Sequence, residues 1–243
     1  MTNAFTAAVQ SMQNDLQYMD AISQNMVNVA TPGFKRAIPV SNTFGNFLSA
    51  AESTTSAALD TTLSPNVRTV VDVTAGPVKQ TGRSTDLAIM GEGYFELGTP
   101  TGPAYSRAGS FHLDATGRLV GEGSHPVQGL SGDIVLNGSA FAIDANGNVT
   151  QDGEFVDQLK QVEFAQPHEM LKGTDGLLRP AHGEGVQASN PQVQVGYLEG
   201  SNVSPMREMV TMLETTRHFE SAQKLFQGYD EALGTAIQKL GEF

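Results

Sequence analysis

The sequence predicts an α+β chain in which an all-β domain, sandwich- or barrel-like, is inserted into a discontinuous N/C-terminal helical coiled-coil domain. Three observations predict it. The segment from Thr2 to about Ala30 has no Gly or Pro and repeats apolar residues every seven positions. The segment after Ser204 repeats the same period. Between them, short apolar runs alternate with Gly-rich turns. The expected organisation is a helix over 1–35, a flexible connector over 36–69, a β domain over 70–199 and a closing helix over 200–243.

In the first segment Phe5, Met12, Met19 and Met26 recur every seventh residue. Val9 and Leu16 stand four residues after the first two, and Ile22 and Val29 three after the last two, so one stripe of a helix is apolar. Thr2 or Asn3 supplies an N-cap, and Pro32-Gly33 ends the helix because proline disfavours helix in the residue before it. About 28 helical residues span roughly 42 Å, long for a helix tucked inside a chain of this size.

The last segment starts at Ser204-Pro205, a cap followed by a first-turn proline. Met212, Phe219, Phe226, Leu233 and Leu240 hold the seven-residue period, and Met206, Met209, Leu213, Tyr229, Ala236 and Ile237 widen the stripe. Arg207, Glu208, Glu214, Arg217, Glu220, Lys224 and Glu231 are assigned to the polar face. Gly228 and Gly234 each weaken the helix by about 1 kcal/mol relative to Ala.

Strands are expected at Leu87–Met90, Tyr94–Leu97, Ile134–Leu136, Phe141–Ile143 and Leu159–Phe164. The pairs Asn137-Gly138, Asn146-Gly147 and Asp152-Gly153 and the run Asp114-Ala-Thr-Gly117 signal hairpins between such runs. Ser49 to Ser64, rich in Ser, Ala and Thr, reads as a loose connector.

Charge and composition exclude several functions. Twenty-six acidic residues against 14 basic give a net charge of -12, which disfavours nucleic acid and anionic membrane surfaces. No run approaches the roughly 20 apolar residues of a membrane span, so direct membrane insertion is not expected. Polar residues from Gln10 to Asp15 break up any signal-peptide core. There is no cysteine, and the five histidines lack ligand spacing, so neither metal nor cofactor is expected. Asp144-Ala-Asn146-Gly147-Asn148 has its glycine too early for a calcium loop and reads as a turn. The Gly-Glu-Gly triplets do not open a helix, and no Gly-x-Ser-x-Gly elbow occurs. An enzyme is not expected.

Two amphipathic helices at opposite chain ends permit either a self-contained hairpin or a seam completed by neighbouring chains. Apolar residues on more than one stripe of the last helix favour the second reading, since a hairpin buries one stripe per helix. Six of the nine methionines lie on these helices, and the adaptable thioether chain suits contact with unlike neighbours. The candidate assembly interface comprises Phe5, Val9, Met12, Leu16, Met19, Ile22, Met26, Val29, Met206, Met209, Met212, Leu213, Phe219, Phe226, Leu233 and Leu240. A polysaccharide-binding β domain with the helices as a stalk is the rival from another class, weakened by the absence of Trp and by only five Tyr.

Four motifs carry a resemblance. Asn25-Met-Val-Asn28-Val-Ala-Thr31-Pro32-Gly33-Phe34-Lys35 resembles the N-terminal signature of bacterial flagellar axial proteins. Thr85-Asp86-Leu87-Ala88-Ile89-Met90-Gly91-Glu92-Gly93-Tyr94-Phe95 looks like the motif opening their β domain. Tyr105-Ser-Arg107-Ala-Gly109-Ser-Phe111 with Asp114–Val120 continues it. Leu198-Glu199-Gly200-Ser201-Asn202-Val203 is similar to their C-terminal signature. The chain resembles the flagellar basal-body rod protein family (FlgF–FlgG): its length and single β domain look like a rod protein and not a full-size hook protein. Val70–Arg83 resembles the proximal-rod type slightly more than the distal-rod type, with a distal-rod or hook-type axial protein as the alternative. The resemblance implies a structural subunit that polymerises through its terminal helices into the axial tube, which transmits torque and conducts exported subunits. It implies copies of itself and other rod or hook axial proteins as partners, passage through the flagellar export apparatus without a cleaved signal, and location in the basal body. Asn25, Asn28, Thr31, Pro32, Gly33, Phe34, Glu199, Ser201, Asn202 and Val203 are the signature residues it singles out.

Overall fold

The computed structural model describes residues 2–41, 67–137, 141–173, 175–183, 185–188 and 191–241. The Ser49–Ser64 connector and Gly138 of the Asn137-Gly138 pair lie outside them, as do the side chains of Phe5, Leu233 and Leu240.

The described residues form seventeen β-strands and two α-helices, α1 (Thr2–Val27) and α2 (Pro205–Gly241). The chain is therefore mostly β with one helix at each end, which corrects the expected α+β class. The coiled-coil domain is not formed either. A coiled coil inserts each seam residue between four residues of its partner, yet Leu16 is 54% exposed, Met206 69% and Leu213 60%. Among the described side chains, burial on the two helices is confined to Ala21, Ile22 and Ala222 and to the polar Asp15, Asn25 and Glu208. The seven-residue period told which residues share a face, and nothing about what covers that face.

The chain divides into two units. The first comprises Met1–Met26, Ala37–Thr69 and Ser204–Phe243, so it holds both helices and β1 (Ala37–Ser41). The second comprises Val27–Arg36 and Val70–Val203.

In the second unit, β5 (Tyr94–Thr99) and β6 (Gly102–Ser106) form a hairpin at the centre of a six-stranded sheet. Beyond β6 lie β14 (Leu178–Pro180) and β13 (Met170–Lys172); beyond β5 lie β12 (Gln161–Glu163) and β15 (Val186–Gln187). Strand β5 is buried along four consecutive residues because it feeds two cores. Side chains alternate across a strand. Phe95 and Leu97 accordingly join Leu87, Phe111, Leu119, Ile134 and Leu159 on one side. Tyr94 joins Tyr105, Val162, Met170 and Leu178 on the other. The rings of Phe95 and Phe111 meet edge to face at 5.0 Å. Glu96, the polar residue of β5, is paired with Lys160 at 2.8 Å.

Strand β4 (Leu87–Ile89) pairs with β16 (Val193–Val195), and β3 (Val78–Gln80) with β17 (Tyr197–Glu199). These pairings bring the end of the unit back beside its beginning. Strands β9 (Phe141–Ile143), β10 (Asn148–Gln151) and β11 (Glu154–Gln158) form a three-stranded meander. Ile134–Leu136, expected as a strand, contributes a single bridge, Val135 to Arg118, though Ile134 and Leu136 are core residues. The hairpin of β7 (His112–Leu113) and β8 (Leu119–Val120) turns on Asp114, whose carboxylate accepts from the Thr116 and Arg118 backbone N–H groups and the Thr116 hydroxyl. Those bonds pull its pKa down to about 2. Asp144 caps its own turn through Asn146 and Asn148, which occupies the carboxylate of the calcium-like segment.

Candidate functional site

In the first unit, α1 and α2 line an open groove of about 570 Å³. Its walls are Val9, Met12 and Leu16 from α1 and Phe219 and Phe226 from α2, with Gln13, Gln223 and Gln227 at the rim. Five candidate interface residues that the sequence placed on two separate helices are thus brought together. Ile22 is buried, Met19, Met26 and Met212 are half-buried, and Met206, Met209 and Leu213 face away from protein. Val29 lies past the end of α1, in the second unit.

Two polar ties accompany the groove. His218 Nδ1 of α2 sits 2.7 Å from Asp15 Oδ2 of α1. Asn25, near the end of α1, donates to the Ala37 carbonyl and to Glu208 Oε2 through its amide nitrogen, at 2.8 and 3.2 Å, and accepts from the Ala37 N–H at 2.8 Å. Asn25 and Glu208 are both buried. An amide carries donors and an acceptor on one planar group, so one asparagine satisfies both backbone groups of Ala37 and a carboxylate as well.

The two terminal signatures meet inside the second unit around Glu199. Its carboxylate accepts from Lys35 Nζ at 2.6 Å, the Gly76 N–H at 3.0 Å and Arg107 Nη1 at 3.3 Å. Lys35 also donates to the Thr74 carbonyl and Arg107 to the Gly91 carbonyl. The Arg107 guanidinium lies over the Tyr94 ring, 5.0 Å from its centre. All three ionic side chains are withdrawn from solvent. Burial pulls the Lys35 pKa below its ordinary value in spite of Glu199 beside it, and pushes that of Tyr94 up.

Backbone bonds reinforce the same junction. The Gly33 N–H donates to the Glu199 carbonyl at 2.8 Å, and the Arg36 N–H donates to Asn202 Oδ1 at 2.7 Å. Asn202 Nδ2 donates in turn to the Asp72 carbonyl at 2.9 Å. Gly33 has φ +69°, and a Cβ on it would overlap the backbone of Ala108. Only glycine meets both demands. Asn28 and Thr31 bond to each other at 3.0 Å across the turn that Pro32 stiffens, and the Ser201 hydroxyl accepts from the Val203 N–H. Phe34 carries Lys172 Nζ over its ring, and Lys172 also donates to the Lys35 carbonyl at 3.2 Å. Burial lowers the Lys172 pKa to about 8, against the opposing pull of Glu122.

The sequence singled out Glu199 but neither Arg107 nor Glu208 as its functional equals. Arg107 stood within a quoted motif, whereas Glu208 had been assigned to the solvated face of the last helix. The local signal for Glu208 was charge, whereas its buried carboxylate accepts from Asn25, a residue far away in sequence.

Two family models match parts of the chain, and Arg107, Glu199, Asn202 and Glu208 of these junctions fall within them. The profile described as flagellar basal body rod FlgEFG protein C-terminal covers residues 194–239, and that of the flagellar hook protein FlgE/F/G D1 domain covers 88–151. The chain is 32% identical to the flagellar basal-body rod protein FlgG of Bacillus subtilis, over 96% of this chain and 97% of that one. It is 32% identical to FlgF of Salmonella typhimurium and 31% identical to FlgF of Escherichia coli, each over 99% of both chains. The chain belongs to the flagellar basal-body rod protein family. Membership makes it a structural protein of the motility apparatus, located in the flagellar basal body. Equal identity to FlgF and FlgG relatives favours neither rod type. Among the described residues no helix of this rod protein is long and apolar enough to cross a membrane.

Proposed function

We propose that this rod subunit self-associates through α1 and α2, adding copies of itself and docking other axial proteins to extend a tube that transmits torque and passes exported subunits. The groove between the helices supports this reading: it is apolar, open, and lined from both chain ends. Association supplies the missing burial, worth about 25 cal/mol per Å² of apolar surface before ordering costs. Isolated helices are marginal without packing partners, so helix formation and assembly are coupled. Travel through the flagellar export apparatus as an unfolded chain fits that coupling, and no catalytic step is assigned to the protein.

Leu16→Asp or Phe226→Asp places a charge in the groove. Each is expected to abolish incorporation into the basal body and motility while the second unit keeps its melting transition. Normal motility in either variant would refute the role of the groove. Hydrogen exchange on the dilute monomer tests the coupling, and full protection of α1 and α2 there would sink it.

A further inference from the structure

Helix α2 has a second apolar face in its first turns. Met206, Met209, Val210 and Leu213 follow i, i+3, i+4, i+7 spacing and are all exposed. At 100° per residue this crest points away from the side that carries Glu208, Phe219 and Ala222. Further along, the positions that continue the crest are Arg217, Glu220 and Lys224, so its apolar part ends at Leu213.

We propose that the Met206–Leu213 crest of one copy seats in the α1–α2 groove of a second copy. This rests on the reading that α1 and α2 carry self-association, and adds which face meets which. The crest cannot reach the groove of its own chain. Both lie on the same continuous helix, and the fourteen residues from Met209 to Gln223 separate them by about 21 Å along its axis. A second copy can.

Charge supports the same occupant. Its described lining is aliphatic, thioether and aromatic with three uncharged amides at the rim, and none of these described residues is ionisable. The crest is two thioethers and two aliphatic side chains. Seating one in the other therefore desolvates no charge, the step that makes polar interfaces costly. Among these described lining residues a charged peptide or lipid headgroup finds no counter-ion. The thioethers adapt to a groove they do not match in detail.

The contact is heterologous. Each copy offers one crest and one groove, displaced along α2, so joining them leaves a free crest and a free groove at opposite ends of every assembly. Such a contact propagates as an open polymer unless its rotation happens to close. An isologous dimer, crest against crest, would leave both grooves empty.

The chain has no cysteine, so single-cysteine versions of the full chain report the contact directly. Met209→Cys sits on the crest and Gln223→Cys on the groove rim, both at exposed positions. The two variants are mixed at rising concentration, assembly is followed by sedimentation, and the samples are then oxidised. The expected result is a disulfide between the unlike variants in the mixture, with none in either variant alone. Adding Leu213→Asp to the Met209→Cys chain should raise the concentration needed for the cross-link at least tenfold, with the melting transition of the second unit unchanged. Cross-linking of Met209→Cys to itself, or polymer without the mixed disulfide, overturns the crest-in-groove contact while leaving self-association intact. A full chain that stays monomeric at every concentration overturns both.

Discussion

Glu199→Gln should be the most damaging conservative substitution in the second unit. It preserves shape and removes the charge that Lys35 and Arg107 share at 2.6 and 3.3 Å. Two cations are then left in a site where the lysine and carboxylate side chains are each only 2% exposed. Breaking a buried pair by removing one partner costs about 3–5 kcal/mol. At about 2–4 °C per kcal/mol for a unit of this size, the melting temperature should fall by roughly 6–20 °C. Burial already holds Lys35 below its ordinary pKa, and Glu199 opposes that fall. Without Glu199 the lysine sheds its proton more readily, so the deficit should shrink as pH rises from 7 to 9. Lys35→Met combined with Glu199→Gln should be more stable than Glu199→Gln alone, because one of the stranded cations is gone. Calorimetry of the unsubstituted chain and these two variants at both pH values measures all of this. A loss under about 2 °C that ignores pH would refute the buried-charge reasoning.

Gly33→Ala forces a Cβ against the Ala108 backbone at φ +69°, and should cost at least about 2 kcal/mol by denaturant unfolding. Asn25→Ala leaves both backbone groups of Ala37 and a bond to Glu208 unmet. It should destabilise the first unit by about 2–4 kcal/mol and speed hydrogen exchange at Ala37. Lys172 has a folded pKa near 8 against 10.5 when free, so between these values the unfolded chain binds the extra proton. Its contribution to stability therefore rises with pH through that window and is lost as pH falls through 8. Lys172→Met should flatten the slope of melting temperature against pH there, and an unchanged slope would exclude Lys172 as its source.

The limits of the sequence show in particular residues. The spacing of Phe5, Met12, Met19 and Met26 located α1, and Ser204-Pro205 located the start of α2. Turn chemistry around Asp114-Ala-Thr-Gly117 located β7 and β8. Those signals are local, since a helix period or a capped turn is set within a few residues of chain. The signature residues also named the family, because their order and spacing survive in any linear comparison. Periodicity overreached at the coiled coil, where Leu16 and Met206 share a stripe with their neighbours and still face solvent.

The meeting of Asn25 with Glu208 and of Lys35 with Glu199 was beyond such signals. The partners lie 183 and 164 residues apart, and nothing near either predicts the other. By itself the sequence determined a helix at each end, a strand-rich middle and membership of the rod family. Tertiary structure alone decided that Glu199 is the shared counter-ion of Lys35 and Arg107 and that Val9 and Phe226 line one groove. Burial and pairing are properties of chain closure, and closure is settled by contacts between segments that local pattern never compares.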